Sequence, residues 1–283
     1  MQVIRDPRAL QARCAAFTNL GLVPTMGALH AGHLALVRAS RSRDAASAVS
    51  IFVNPTQFGP NEDFARYPRS FDQDCALLER EGVDVVFAPA AEAMYPPGAA
   101  TFVEVEGLSG RLCGASRPGH FRGVATVVLK LFSLARPARA YFGQKDAAQV
   151  AVLRRMVADC FLPVELVVCP IVREPDGLAL SSRNRLLNPR ERKAALALSR
   201  GLRALADAYA AGERFAAALV EVGRAEIAAE PALRLDYFTA VDENTLLPVD
   251  RAAPGTLFAV AAFAGSTRLI DNAHVDAGGE MRL

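Results

Sequence analysis

Short apolar runs alternate with segments of helical periodicity along residues 20–169. Each run is five or six residues long and is bounded by polar or turn residues, which is typical of buried strands. The five strands predicted in this way are residues 20–24, 49–53, 83–88, 138–142 and 164–169. Because strands that alternate with helices form parallel sheets, the sequence predicts an α/β fold with a doubly wound, Rossmann-like sheet that binds ligands at the carboxyl ends of its strands.

Two local patterns add to this prediction. Residues 102–105 alternate between apolar and polar positions, which predicts a further short strand. Ser70 is followed three residues later by Gln73, a capping-box pattern that predicts a helix ending near Gly82.

The alternation ends at a segment that contains two prolines and a glycine, residues 170–177. Such composition is typical of a domain boundary. Beyond it, Asn188, Pro189 and Glu191 predict the capped start of a helix, and short runs at residues 235–241, 257–263 and 268–270 predict antiparallel strands. The sequence therefore predicts a parallel-sheet domain of residues 1–171 and a smaller α+β domain of residues 172–283.

Composition and charge exclude several classes of function. The formal net charge of the 283 residues is +2, with acidic and basic side chains interspersed, which gives no reason to expect nucleic acid or a membrane surface as a partner. The five cysteines are scattered and never spaced as CxxC, which is typical of reduced thiols. An apolar signal segment is not apparent at the N-terminus, so we expect a cytoplasmic protein.

The turn and helix of residues 24–40 carry the first candidate chemistry. Gly27 and Gly32 let the backbone bend and approach a ligand, and His30 and His33 lie one helical turn apart at the start of the helix. The first N–H groups of a helix favour an anion, so this segment suits a triphosphate. Two alternatives remain at this point: a zinc site, although metalloprotease histidines are spaced i, i+4, or an ordinary junction with solvated histidines.

Other polar residues follow predicted strands or the domain boundary. The long loop of residues 54–70 carries Gln57, which either binds a small molecule or satisfies local backbone groups. Lys145 is well placed for phosphate oxygens, while the neighbouring Asp146 is more typical of a helix cap. The LSSRN segment, residues 180–184, offers two hydroxyls and a guanidinium, which are donors that phosphates accept from.

Three basic residues precede a long apolar helix. Arg117, His120 and Arg122 lie in the glycine-bearing stretch of residues 114–123. They either form a second anion contact or line a solvated helix entrance, and the sequence does not decide between the two.

Taken in order, a set of motifs resembles one family over essentially the whole chain. The motifs are PTMGALHAGH, IFVNPTQF, YPRS, RPGHFRGVATVVLKLF, YFGQKD, VREPDGLALSSRN and RLIDN. Their order and spacing resemble pantothenate synthetase, also called pantoate–β-alanine ligase. The resemblance implies a member of the nucleotidyl-transferase superfamily, with His30 to His33 as its HIGH-type signature and residues 180–183 as its KMSKS-like loop.

The resemblance also implies site residues. His33 is the residue to which the family pattern assigns catalysis, and we expect His30 and Lys145 to stabilise charge beside it. The implied ATP site consists of Met26, Gly27, Ala28, Leu29, His30, Ala31, Gly32, His33, Gly143, Gln144, Lys145, Asp146, Val172, Leu180, Ser181, Ser182 and Arg183. Gln57 and Gln149 match the positions that hold pantoate, and Gln57 adjoins the β-alanine site.

The implied reaction joins pantoate to β-alanine at the expense of ATP, through a pantoyl adenylate, and releases pyrophosphate and AMP. Mg²⁺ is implied through the ATP phosphates rather than through protein ligands. The family resemblance also implies a homodimer. The sequence departs from the commonest family pattern at Gln144, where Glu is frequent, and at Ala148, where Gln often precedes Gln149.

Two other functions compete with this interpretation. A related nucleotidyl-transferase acting on a different acid would share the histidines and the LSSRN loop, but would not explain Gln57 and Gln149. A nucleotide-binding module without turnover would bind ATP and form no AMP. A tRNA ligase is disfavoured because the sequence shows no basic tRNA-reading appendage.

Overall fold

A computed structural model describes residues 1–60 and 62–283 of the chain, in which one or more helices separate successive strands as far as Cys169. The described residues divide into two units: a first unit of Met1–Gly143 and Val152–Cys169, and a second unit of Gln144–Ala151 and Pro170–Leu283. Within the predicted loop of residues 54–70, Asn61 lies outside the described residues.

In chain order, the elements up to Cys169 are β1 (Gln2–Ile4), α1 (Pro7–Cys14), β2 (Leu20–Thr25), α2 (Ala31–Arg43), β3 (Ala46–Ile51), α3 (Phe71–Arg80), β4 (Val85–Phe87), α4 (Ala91–Met94), α5 (Cys113–Ser116), α6 (His120–Ala135), β5 (Arg139–Gly143), α7 (Ala147–Asp159) and β6 (Glu165–Cys169). Short 3₁₀ turns lie at Pro55–Gln57, Asp63–Arg66 and Gln144–Asp146.

The first unit is built on a parallel sheet. Over the described residues this sheet has six strands in the order β1-β4-β3-β2-β5-β6. Strand β2 pairs with β3 on one side, from Leu20 opposite Ala46 to Thr25 opposite Ile51, and with β5 on the other. Chain order reverses around β2, so its carboxyl end is the switch point at which open α/β sheets bind ligands. The predicted α/β fold is confirmed.

In the first unit, sequence patterning missed one strand and predicted another where the structure has none. Strand β1 has only three residues and lies at the sheet edge, where the pattern is too short to detect. The strand predicted at residues 102–105 is wrong. The N–H of Val103 donates to Thr126 Oγ1 at 2.9 Å and that of Val105 to Ser109 Oγ at 3.2 Å, so side chains take the hydrogen bonds that a strand partner would need.

The second unit packs two long helices on an antiparallel sheet. Its main elements are α8 (Pro189–Ala210), α9 (Ala216–Ala228), β7 (Leu233–Asp242), β8 (Thr256–Ala264), β9 (Thr267–Val275) and β10 (Met281–Arg282), with a 3₁₀ turn at Ser182–Leu186. The three predicted antiparallel strands are confirmed as β7, β8 and β9, whereas the two-residue strand β10 was not predicted. Asn188 and Glu191 form the predicted capping box, each side chain accepting from the other's backbone N–H.

Buried aliphatic and aromatic side chains hold each unit together separately. In the first unit, Val23, Val49 and Val86 of the central strands pack with Val37 of α2 and Leu78 of α3. The second unit has its own core, in which Leu198 and Leu202 of α8 pack with Phe238, Phe258 and Val260 of the sheet. In the part of the chain that is described, no helix is both long and apolar enough to pass through a membrane.

Candidate active site

The chain turns sharply where β2 ends. Gly27 and Ala28 both have left-handed backbone conformations, with φ of 83° and 51°. Glycine suits this conformation, and at Gly27 a Cβ would in addition lie 3.0 Å from both Asp74 Oδ2 and Ile51 Cγ2. The turn therefore requires glycine at position 27, as the sequence predicts.

Asp74 of α3 binds the backbone of this turn. Its buried carboxylate accepts from the N–H groups of Ala28 and Leu29, each at 2.9 Å, and from Ser70 Oγ at 3.1 Å. The capping box predicted from Ser70 and Gln73 is wrong, because Ser70 makes no side-chain capping bond and serves Asp74 instead. The donors available to an anion thus begin at the first turn of α2, where helix N–H groups lack intrahelical partners.

His30 and His33 lie side by side at that first turn. His30 is the N-cap residue of α2, and the centroids of the two rings are 4.1 Å apart at an interplanar angle of 32°. The Nδ1 atoms of both rings are shielded from solvent. Within residues 1–60 and 62–283, no group of three or more His, Cys, Asp or Glu is arranged to hold a metal ion, so the zinc alternative lacks a ligand set there.

Gln57 lies beside this turn, in the 3₁₀ turn that follows β3. Its Nε2 donates to Met26 Sδ at 3.2 Å, and its Oε1 accepts from Asn54 Nδ2 at 3.0 Å. Asn54 is fully buried; it donates also to the Gly123 carbonyl at 3.1 Å and accepts from Tyr95 OH at 2.9 Å. Asn54 therefore fixes the orientation of the Gln57 amide.

Helix α6 supports the backbone of Gln57. A Cβ at Gly123 would lie 2.3 Å from the Thr56 carbonyl oxygen, so only glycine permits this approach. His120 Nδ1–H donates to the Gln57 carbonyl at 2.9 Å. Arg117 in turn donates to His120 Nε2 at 3.0 Å and to the Glu62 carboxylate at 2.6 Å.

Each of the three basic residues contacts other residues of the first unit. Arg117 and His120 hold the Gln57 turn, while Arg122 lies over the Phe102 ring at 3.8 Å from its centroid. Burial acts to raise the pKa of Glu62, but the hydrogen bonds and positive charge of Arg117 outweigh it and lower that pKa.

In the second unit, Lys145 lies in the 3₁₀ turn Gln144–Asp146. Its side chain is 20% exposed, and its Nζ lies 3.5 Å from Asp146 Oδ2. Asn272 of β9 donates its side-chain amide to the carbonyls of Gln144 and Lys145 at 2.9 and 3.0 Å, and accepts from Gln144 Nε2 at 3.2 Å. The Lys145 turn is thus held by a residue far along the chain.

Hydrogen bonds to Val172 and Glu174, together with one inside the segment, hold the LSSRN segment in place. Leu180 N–H donates to the Val172 carbonyl at 2.9 Å, which brings together two residues of the implied ATP site. Ser181 Oγ accepts from Arg183 N–H at 3.3 Å, and Asn184 donates to Glu174 Oε1 at 2.7 Å. The segment is therefore ordered by hydrogen bonds within its own unit.

Comparison with known proteins decides the family. The sequence profile described as Pantoate-beta-alanine ligase matches residues 2–274. The chain belongs to the pantoate-β-alanine ligase family. The motif resemblance is thereby confirmed. The pantothenate synthetase of Acidobacterium capsulatum is 63% identical over 268 residues, covering 95% of this chain and 90% of the relative. That of Koribacter versatilis is 56% identical over 286 residues, covering 100% and 98%.

Solved structures of pantoate-β-alanine ligases share the fold. The pantothenate synthetase from Thermus thermophilus is 48% identical with a TM-score of 0.93, covering 98% of this chain and 100% of that one. The ligase from Francisella tularensis, complexed with "Beta-gamma ATP and Beta-alanine", is 33% identical with a TM-score of 0.79, covering 96% and 97%. As a family member, the chain is an enzyme that joins pantoate to β-alanine.

The predicted ligase-site residues fall into both units. The first unit contains Met26 to His33, Gln57 and, at the end of β5, Gly143. The second contains Gln144 to Asp146, Gln149, Val172 and Leu180 to Arg183. Residues 26–33, which are predicted to bind phosphate, are called the phosphate turn below. Within the first unit, the Met26–Gln57 contact joins this turn to the residue predicted to bind pantoate.

The sequence analysis did not identify three buried polar residues that hold the segments predicted to form the ligase site: Asn54, Asp74 and Asn272. A partial signal existed for two of them. Asn54 directly follows a predicted strand, and Asn272 lies in the RLIDN motif. Asp74 carried none, because an acidic residue in the first turn of a helix is expected on electrostatic grounds alone.

Proposed function

We propose that the ligase forms pantothenate in two steps. The carboxylate of (R)-pantoate attacks the α-phosphorus of ATP, the bond to pyrophosphate breaks, and pantoyl adenylate forms. The amine of β-alanine then attacks the acyl carbon, AMP leaves, and the amine releases a proton. Family membership supports this order of reaction steps, as does the Francisella relative that was solved with an ATP compound and β-alanine.

The observation that carries the proposal is the 3.2 Å contact between Gln57 Nε2 and Met26 Sδ. It places an oriented side-chain amide next to the first residue of the phosphate turn. In the proposed role, Gln57 hydrogen-bonds pantoate and adjoins β-alanine, and Gln149 supplies a second amide for pantoate. Such positioning supplies much of the rate in a reaction that needs no protein nucleophile.

His30 and His33 stabilise the negative charge that develops as the first step proceeds, with His33 as the principal catalytic residue. Their paired rings at the N-terminus of α2, where backbone dipoles favour anions, support this role. The remaining residues of the turn line the phosphates: Met26, Gly27, Ala28, Leu29, Ala31 and Gly32. A hydrogen-bond donor aimed at developing charge typically raises the catalytic rate by a factor of about 10² to 10³.

In the second unit, Lys145 supplies a positive charge to phosphate oxygens. Its partly exposed ammonium group next to Asp146 supports this role. The hydroxyls of Ser181 and Ser182 and the guanidinium of Arg183 are further phosphate donors. The proposed nucleotide contacts are completed by Gly143, Gln144, Asp146, Val172 and Leu180.

Mg²⁺ enters the proposal only as a partner of the ATP phosphates, whose charge it neutralises. In the described ranges, the proposed site side chains are mainly imidazole, ammonium, guanidinium, hydroxyl and amide groups, and no cluster of metal-binding residues accompanies them. This donor set does not fit a protein-held magnesium ion, so no step is assigned to a metal bound by the chain itself.

The proposal includes a division of roles, an assembly state and a location. Residues 1–171 bind nucleotide and pantoate, and residues 172–283 contribute the LSSRN phosphate loop. The enzyme acts as a homodimer in the cytoplasm, for which the family resemblance is the support. Light scattering coupled to size-exclusion chromatography tests the dimer.

An AMP-release assay tests the reaction. With ATP, pantoate and β-alanine present, we expect AMP, and omission of any one should abolish it. Pyrophosphate release should need only ATP and pantoate. ATP binding without AMP formation would instead support a module without turnover, and pyrophosphate release with unrelated acids would support a different acceptor.

A further inference from the structure

Strand β9 carries two adjacent buried polar residues, Asp271 and Asn272, each 3% exposed. A charged residue and an amide next to each other inside a sheet are costly unless both are fully hydrogen-bonded. Here both are satisfied, and the partners lie in segments of the proposed nucleotide site. The two residues belong to the RLIDN motif, to which the proposed mechanism gives no role.

The side-chain amide of Asn272 uses both of its N–H donors and its oxygen acceptor in hydrogen bonds. Its Nδ2 donates to two consecutive carbonyls, those of Gln144 at 2.9 Å and Lys145 at 3.0 Å. Its Oδ1 accepts from Gln144 Nε2 at 3.2 Å. An asparagine amide has two donors and an acceptor, so this one side chain fixes the peptide groups on either side of the Lys145 Cα.

Asp271 fixes the neighbouring segment. Its carboxylate binds Arg173 at 2.7 and 3.0 Å, and Arg173 also donates to the Gly177 carbonyl at 3.2 Å. Arg173 directly follows Val172, whose carbonyl accepts from Leu180. Asp271 also accepts from Asn272 N–H at 2.8 Å, so the two anchors are joined.

We propose that Asn272 is a positioning residue, which sets the direction of the Lys145 side chain by holding the carbonyls of Gln144 and Lys145. This inference rests on the role proposed above for Lys145 in adenylate formation. A lysine with a flexible stem is precise only when its backbone is fixed, and a misplacement of about 1 Å in a catalytic group lowers a rate by as much as about 10²-fold.

Half-reaction kinetics of single and double variants test the proposal. Asn272→Ala should lower the rate of pyrophosphate release from ATP and pantoate by about 10- to 100-fold, with much less effect on transfer from preformed adenylate. Asn272→Asp, which is nearly isosteric but sets carboxylate oxygens against two carbonyls, should do the same. Thr256→Val is the matched control. It removes a 3.0 Å bond from the Ala253 N–H to a buried side chain of the same sheet, outside the proposed site, and should leave both half-reactions unchanged.

The double variant distinguishes positioning from general damage. If Asn272 acts through Lys145, adding Asn272→Ala to Lys145→Ala should lower the first half-reaction by less than about 3-fold, because coupled residues are non-additive. The inference would be overturned if the rate loss of the double variant equalled the product of the two single losses. It would also be overturned if both folded Asn272 variants kept a near-normal rate in the first half-reaction. Near-normal activity of Lys145→Ala alone would refute the role proposed for Lys145, which is a separate outcome. Melting temperatures show which variants are folded.

Discussion

Asp74 Oδ1 accepts a hydrogen bond from the backbone N–H of Leu29 at 2.9 Å, which joins the first turn of α3 to the turn predicted to bind phosphate. Its other oxygen binds the N–H of Ala28. Asp74→Asn removes one acceptor and sets an NH₂ group against a buried N–H. We expect a destabilisation of about 1 to 3 kcal/mol in the free energy of unfolding.

The same variant should also raise the KM for ATP, because the turn loses the bonds that hold its left-handed residues. Urea unfolding and steady-state kinetics measure the two effects. Asp72→Asn, an exposed neighbour on the same helix, is the control and should change neither. Unchanged stability in Asp74→Asn would show that the turn does not depend on this carboxylate.

His33→Ala should lower pyrophosphate release by about 10²-fold or more, because a donor to developing charge is lost. Far-ultraviolet circular dichroism should be unchanged. His274→Ala, on β9 outside the proposed site, is the matched control and should keep most of the activity. A near-normal rate of pyrophosphate release in His33→Ala would show that His33 is not a catalytic residue.

Asn54→Ala should raise the KM for pantoate by about 10-fold, since the Gln57 amide loses the bond that orients it. The KM for ATP should change less. Asn19→Ala provides a comparison at the opposite end of the sheet, just before β2, and should leave the KM for pantoate unchanged. Equal increases in both KM values would indicate a general loss of structure.

The Glu62–Arg117 ion pair makes the stability of the folded state dependent on pH. Because the pKa of Glu62 is lowered from its ordinary value of 4.5, its ionised form stabilises the folded state above that value, and the contribution is lost as the pH falls through the lowered pKa. The melting temperature of the unmodified protein should exceed that of Glu62→Gln at neutral pH. This difference should shrink below about pH 4. Glu104→Gln, at an exposed position, should show no comparable pH-dependent difference.

Elements defined by local patterns were predictable from sequence. Val49 and Val86 lie on confirmed parallel strands, and the Asn188–Glu191 capping box is present as expected. These features depend on residues within a few positions of one another, so periodicity and cap chemistry suffice to find them.

Contacts between distant residues were not predictable in the same way. Asp74 binds Ala28 across 46 positions, and Asn272 binds Lys145 across 127. Ser70 shows the same limit, because a tertiary partner replaced the local cap that its spacing indicated. The local pattern correctly predicted His30 and His33 at the start of a helix, but the carboxylate that holds their turn lies more than 40 positions away in the chain.

Gly123 sets a boundary for redesign of the enzyme. Because α6 contacts the Thr56 carbonyl through bare backbone, any side chain at Gly123 would displace the segment that carries Gln57. Because Gln57 is proposed to bind pantoate, a mutant library aimed at other acids would keep Gly123 constant and vary Gln57 and its neighbours. Gly123 of α6 thus limits which substitutions around Gln57 the fold can accommodate.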